Sequence, residues 1–467
     1  MKKLTLLLLL FAAAISFSMI SCNNISPISS VTDSSLFQPK HHISEYDISS
    51  IGDFHNGLAR FTIKLAPENI DSKYFEDEWS RAEFIEYYTK DNRSFKLCGY
   101  CDVNGNVVIL PEYNKDSPDF TEVMVRLERW IGWRLGYTID YVNVKGKTIL
   151  SFSMDDVSDS GEVANGLFWI EDYDNNLEYY DTKGKKVFEF HNARNYYDDG
   201  IDYSTFSNDD IFFDVFGKKH LAIIELNDLN TLIDNSGKVI NLSIEGLKED
   251  ISPIYDTYEI EKFIGNKVEE FSFYSTEENH GAWGGSGIID LQQNTLTITE
   301  NEDLFKGTYS SKIYDESLQP VLDFNVLEGF ETYKKFHWNI SKDKIVSLRC
   351  DENTYAVVGL DGKVYIAPNA DISLKNEFSL FTFSDGLCVC KSEFTQLYGY
   401  INLSGEWIIP PIYREARTFY EGVAVVNGSV VIDKTGNAVL IGNESDYVDL
   451  NSLPEDVSEM LNMIGIM

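Results

Sequence analysis

Apolar and polar positions alternate over short stretches along most of the chain, and the stretches are cut at irregular intervals by Asp or Asn followed three residues later by Gly. The clearest unit is Tyr398-Gly399-Tyr400-Ile401-Asn402-Leu403-Ser404-Gly405-Glu406-Trp407-Ile408-Ile409-Pro410-Pro411-Ile412-Tyr413. A second copy runs from Cys98 to Tyr113 around Asp102 and Gly105. Weaker copies keep the Asp or Asn and the Gly at Asn143–Gly146, Asp181–Gly184, Asp234–Gly237 and Asp433–Gly436. This spacing predicts β-hairpins. Asp or Asn opens a tight turn by bonding nearby backbone, and Gly takes the positive φ that closes a type I turn with a bulge. Flanking runs such as Val107-Val108-Ile109 are β-branched, as strands prefer, and the X-Pro step that follows is expected to end the strand.

A second signature, Phe-x-x-Gly-apolar-x-apolar, supplies a further strand per unit. It occurs at Phe54 to Phe61, Phe383 to Cys390 and Phe419 to Val426, with looser versions at Val163 to Ile170 and, lacking the Gly, Phe120 to Val125. Insertions enlarge some units. Asp71 to Lys90 places Tyr74, Phe75, Trp79, Phe84 and Tyr88 at near-helical intervals and is expected to be a helix. Pro454 to Ile466 is expected to form a short terminal helix capped by Ser452.

A single hairpin or three-stranded unit buries too little surface to be stable alone, so neighbouring units must stack. The predicted fold class is therefore all-β, built of repeated hairpin or meander units. Roughly nine such units suit a propeller-like ring, preferred over an open stack because closure removes exposed edges. Together the two signatures resemble the WG-repeat family, named for a Trp-Gly pair that precedes the Tyr-Ile-Asp strand. In this chain the Trp slot is Cys98 in one unit and Tyr398 in another. The resemblance implies a β-repeat architecture and leaves the function open.

The N-terminus adds a second layer of organisation. Lys2 and Lys3 precede an apolar run from Leu4 to Phe17, too short to span a membrane comfortably. Met19-Ile20-Ser21-Cys22 then resembles the lipobox of bacterial lipoproteins, which implies cleavage before Cys22 and acylation of that residue. Two or more acyl chains anchor a protein stably. The expected organisation is a signal peptide over residues 1–21, a flexible tether over 22–45, the β-repeat body over 46–445 and a C-terminal segment over 446–467. The expected seat is the cell envelope, the outer membrane in preference to the inner, with the periplasmic or surface side open.

The chain carries a formal charge of −36, which loss of Lys2 and Lys3 takes to −38. That sign disfavours nucleic acid as a partner. Five cysteines remain besides Cys22, an odd number without regular spacing, so no disulfide framework is expected. Cys98 with Cys101 and Cys388 with Cys390 bring a four-thiolate metal site to mind. Residues three apart on a strand point to opposite faces, however, and these positions are read as apolar core slots.

Asp172-x-Asp174-x-Asn176 opens like a calcium loop and lacks its Gly and its closing Glu. Asp198, Asp199 and Asp202 are read as a solvated acidic run. His280 to Gly287 is rich in Gly and is expected to be a flexible loop, with Trp283 the candidate stacking platform for a ligand. No catalytic constellation, resident metal or cofactor emerges. A non-enzymatic binding or scaffold body for a protein or glycan is favoured, with an envelope hydrolase and a ligand-free spacer as the alternatives.

Overall fold

The computed structural model describes residues 41–447 apart from 91–93, 135, 199–200, 203–220, 228, 242, 246–256, 265–266, 276–279, 291–294, 300–310, 315–319, 334–335, 352–353, 370–381, 393–394 and 444–446. The signal segment, Cys22, most of the tether and the expected helix at 454–466 therefore lie outside the described residues. So does Asp199.

The body is all-β, a series of small sheets whose strands mostly follow chain order, with one crossover where Ser243–Glu245 pairs in parallel with Thr295–Thr299. The first unit holds Ile48–His55, Leu58–Leu65, Phe95–Cys101 and Val107–Asn114, and joins the second, Met124–Gly132, Gly136–Asn143 and Thr148–Ser153, through a single pair, Tyr113 with Arg129. The third centres on Leu167–Glu171, Asn176–Asp181 and Lys186–His191. Toward the C-terminus come a four-stranded sheet from His337–Ile340 to Val364–Asn369, then Leu387–Lys391 with Tyr398–Asn402 and Trp407–Tyr413. The last unit is Val423–Val426, Val430–Asp433 and Ala438–Ile441.

Every well-formed Asp/Asn-x-x-Gly segment is a chain reversal. At Asp102 the side-chain Oδ1 accepts the amides of Asn104 and Asn106, both at 2.9 Å, while the Gly105 amide donates back to the Asp102 carbonyl. Asn402 repeats this with Ser404, Glu406 and Gly405. Both glycines sit at φ near +80°, where a Cβ would be strained. Asn143, Asp181, Asp234 and Asp433 close their turns the same way.

The Phe-x-x-Gly signature proves to be a turn as well as a strand start. Asn56-Gly57, Asn165-Gly166, Asp385-Gly386 and Glu421-Gly422 each place two successive residues at positive φ, the two-residue reversal whose twist suits a hairpin.

Three expectations are corrected. The X-Pro steps do not end their strands: Val107–Asn114 contains Pro111, and Trp407–Tyr413 contains Pro410 and Pro411. Proline lacks the N–H a ladder needs, so the register slips there instead, with Tyr400 opposite Ile409 but Tyr398 opposite Tyr413. The bulge explains the neighbouring glycine. A Cβ on Gly399 would lie 2.5 Å from the Ile409 carbonyl oxygen, and one on Gly99 would lie 2.4 Å from that of Ile109.

The inserted helix is shorter than expected, Glu78–Lys90. Asp71 and Asp77 interrupt the pattern by capping locally. Asp71 accepts the Lys73 amide and starts a separate 3-10 turn, Ser72–Tyr74, while Asp77 accepts the Ser80 amide at 2.7 Å and opens the helix. Lastly, His280–Asp290 is a strand and not a flexible loop, paired with both Lys267–Ser275 and Thr295–Thr299. Its glycines face a register that slips twice, a backbone irregularity that glycine tolerates.

Hydrophobic clusters sit between units. Leu58, Tyr100 and Ile109 of the first pack on Phe120, Val125 and Leu127 of the second. Ile139, Tyr141 and Phe152 pack on Phe168 and Ile170 of the third. Ile345 and Val357 meet Cys388, Cys390 and Ile401, and Tyr400, Ile409 and Tyr413 meet Ala424, Val426 and Val430. The last unit then packs on the first: Val425, Val431 and Leu440 share a core with Ile51, Phe54, Phe61 and Cys101. Each unit thus covers a face its neighbour cannot bury alone, and the two ends of the body meet. No sheet closes into a barrel among the described residues.

Candidate functional site

The seam between last and first units is where polar chemistry concentrates. The Glu421 carboxylate accepts the Asn56 amide at 2.7 Å and the Gly57 amide at 2.8 Å. Both amides point outward from the turn because both residues adopt positive φ, which makes a small nest for an anion. The same grip recurs between neighbours in sequence. Glu122 takes the Asn165 and Gly166 amides, the latter at 2.9 Å; Asp343 takes Gly386 at 3.2 Å; Asp385 takes Gly422 at 2.7 Å. In the two Phe-led cases, Asp385 and Glu421, the acid is the residue just before the Gly of one signature and its grip falls on the next unit's turn. The series therefore runs in one direction, and Glu421 carries it from the end of the chain to the beginning.

Beside this grip, Asp53, His55 and Asp119 each direct one donor atom into a common space, all within 4.8 Å of one another. The residue before the signature phenylalanine is Asp53 in the first unit and Asp119 in the second, but Thr382 and Thr418 in the later ones. Gly52 makes room for this convergence, since a Cβ there would come within 2.9 Å of Asp119 Oδ1. The His55 ring packs on Tyr420 at 4.6 Å between centroids, which fixes its orientation.

Two arginines balance the carboxylates without hydrogen-bonding them closely. Arg417 Nη1 stands 3.7 Å from Asp53 Oδ2, and Arg60 Nε stands 4.0 Å from Asp119 Oδ1. Arg60 spends its Nη1 on the carbonyls of Lys115 and Ser117. Asp53 Oδ1 and Asp119 Oδ1 are sealed from solvent with no hydrogen-bond partner among the described residues. Burial pushes the Asp53 carboxyl above its usual range; Arg417 and His55 pull it down, and Asp119 pushes it further up.

The residues singled out from sequence fare differently. Trp283 lies in a strand, and its side chain is outside what the structure describes. Asp172 consumes its own carboxylate as a turn opener, accepting the amides of Asp174 and Asn176 and the side chain of Asn176, while Asn175 takes the left-handed slot at φ +59°. The supposed calcium opening is another hairpin with Asn in place of Gly. Asp198 and Asp202 fall in two short paired strands.

Cys98 and Cys101 are buried on opposite faces, in the cores shared with the second and last units respectively. Burial pushes both thiols up to about 12. Cys388 and Cys390 share one face, with sulfurs 4.0 Å apart, in a different core. The four thiols are not brought together. Asp53, His55 and Asp119 were missed by sequence reasoning because carboxylates abound, yet the repeated Asp-Phe step at residues 53–54 and 119–120 marks them.

The architecture defines an all-β body of stacked repeat units. Residues 398–427 match the family described as WG containing repeat, so the chain carries such a repeat where its Gly399 and Pro410 fit together most clearly. No curated protein matches the chain. Among solved structures, it is similar to BamB from Moraxella catarrhalis, with 11% identity over 74% of this chain and 80% of that one and a TM-score of 0.27. It is similar to a protein described as the eukaryotic initiation factor, with 8% identity over 73% and 92% and a TM-score of 0.37. A computationally designed protein, Ika8, matches at 12% identity over 61% and 86%, with a TM-score of 0.26. Likenesses this distant carry no argument about what the chain does.

Proposed function

We propose that the chain is an exported lipoprotein, held in the cell envelope by acylated Cys22, whose body forms a propeller-like ring that serves as a binding or scaffold module for a protein or glycan. The observation that carries the body's part is the seam between last and first units, with Glu421 on the Asn56 and Gly57 amides. Ends that meet leave no free sheet face to stack further, and they hold the turns of all units in one fixed pattern. A surface ordered in advance binds without the entropic cost of ordering it. The anchor's part rests on Met19-Ile20-Ser21-Cys22 behind the Leu4–Phe17 run. The outer membrane remains the favoured seat.

Metabolic labelling with an alkyne fatty acid tests the anchor. The wild-type chain is expected to take the label and sediment with membranes, and Cys22→Ala is expected to take none. Equal labelling of both, or none on the wild type, ends the anchored reading. The second reading, an envelope hydrolase, is favoured by one observation, that Asp53 and Asp119 come from different units and one of them has a raised pKa. It stands only if turnover of a glycan or peptide panel is found and is abolished by Asp53→Asn or Asp119→Asn.

A further inference from the structure

We infer that Asp53, His55 and Asp119 form a binding site for a first-row divalent transition cation, of the Mn2+, Co2+ or Zn2+ kind, at the junction of the last, first and second units. The donor set comes first. One imidazole nitrogen with two carboxylates matches borderline cations, whereas Ca2+ and Mg2+ prefer oxygen alone.

The second observation is the pair of orphaned oxygens. Asp53 Oδ1 and Asp119 Oδ1 are removed from solvent and accept no hydrogen bond among the described residues. A buried carboxylate oxygen in that state costs free energy unless a proton or a cation satisfies it, and the nearest guanidinium atoms stand off at 3.7 and 4.0 Å. The third is that the space is shaped for these groups. Gly52 leaves the volume that Asp119 enters, and Tyr420 holds the His55 ring.

Donors bound at about 2.1 Å lie no more than about 4.2 Å apart, so the present 4.8 Å spacing needs only a small inward rotation of the side chains. Arg60 and Arg417 stand beside the two carboxylates and partly offset their negative charge. They also weaken its hold, which points to a site that exchanges its ion and does not bury it permanently. Remaining coordination positions go to water.

The test is isothermal titration of the untagged, metal-stripped full chain with Zn2+ and with Mn2+, repeated with Co2+ while its visible absorption is followed. One equivalent is expected to bind, with Co2+ developing the absorption of mixed nitrogen and oxygen ligation. His55→Gln and Asp119→Asn should each weaken binding by about a hundredfold or more, beyond what loss of a supporting group costs. His191→Ala, on an exposed strand end of the third unit, should leave it unchanged. Circular dichroism of the variants checks that they fold. Absence of a stoichiometric site for all three ions, or a site that survives both ligand substitutions in folded protein, overturns the inference.

Discussion

Two seams of the body make the same contact under different constraints. Between Leu387–Lys391 with its partners and the last unit, the chain itself supplies the connection, and the two share a core of Tyr400, Tyr413, Ala424 and Val426. The polar grip there on the turn amides is one bond, Asp385 to the Gly422 amide, with Lys434 Nζ donating to the Asp385 carbonyl at 2.7 Å beside it. Between the last unit and the first, the partners are separated by more than three hundred residues. That seam has a comparable core, but Glu421 takes two amides, Ile51 donates to the Gly428 carbonyl at 2.8 Å, Gly442 lets Ile48 and Ile51 approach, and Tyr420 packs on His55. Bringing distant parts of a chain together costs closure entropy that adjacent units do not face. The doubled grip of one carboxylate on a pair of turn amides sits where that cost falls.

The sharpest way to break the comparison is through the closing core. Phe61 is fully buried between first and last units, and Phe61→Ala is expected to cost about 3–5 kcal/mol. Urea unfolding followed by fluorescence should show it, with hydrogen exchange rising first at Ile51. A loss below about 1 kcal/mol would mean that the closing core carries no load.

A smaller effect separates what lies inside a unit from what lies between units. Gly399→Ala drives a methyl against the Ile409 carbonyl and is expected to cost about 1–3 kcal/mol, with little change in exchange at Ile51. Next come the grips. Glu421→Ala should cost about 1–2 kcal/mol and Asp385→Ala about half of that, as two charge-assisted bonds at the surface compare with one. Equal losses would show that the second bond at the closing seam contributes nothing.

The thiols add a dependence on pH. Cys98, Cys101 and Cys350 are pushed up to about 12 by burial. A thiol whose folded pKa lies above its unfolded value favours the folded state fully below the unfolded value, and that contribution is lost as pH rises toward 12. Stability should fall by up to about 1.4 kcal/mol per pH unit per thiol above pH 9. Cys101→Ala should make the fall shallower. Denaturant midpoints at pH 8, 9 and 10 measure this, and identical slopes would contradict it.

What could be read from sequence was local. Asp102 and Asn402 write their turns into the chain because the capping oxygen and the amides it binds are within four residues. Locality misled at His280 to Gly287, where composition suggested a loop but neighbouring strands impose extension. The clearance that Gly399 needs was visible as a pattern, but its cause was not, since it depends on a proline bulge in the next strand. Asp53 and Asp119 carried a local mark in the Asp-Phe step, but neither their convergence nor the reach of Glu421 to Asn56 and Gly57 was legible. Their meeting depends on which units become neighbours, and no residue near them in sequence records that.

The central claim is that the end of the body rests on its beginning. Val103 and Val439 are exposed residues beside the Gly105–Leu440 contact, and spin labels on Val103→Cys and Val439→Cys in a Cys22→Ser background report the distance across the seam, Cys98, Cys101, Cys350, Cys388 and Cys390 being buried. Double electron–electron resonance on the full chain should give one narrow distance below about 25 Å. Sheets packed about 10 Å apart in an open stack would place the labels beyond about 60 Å, and that result would contradict the account.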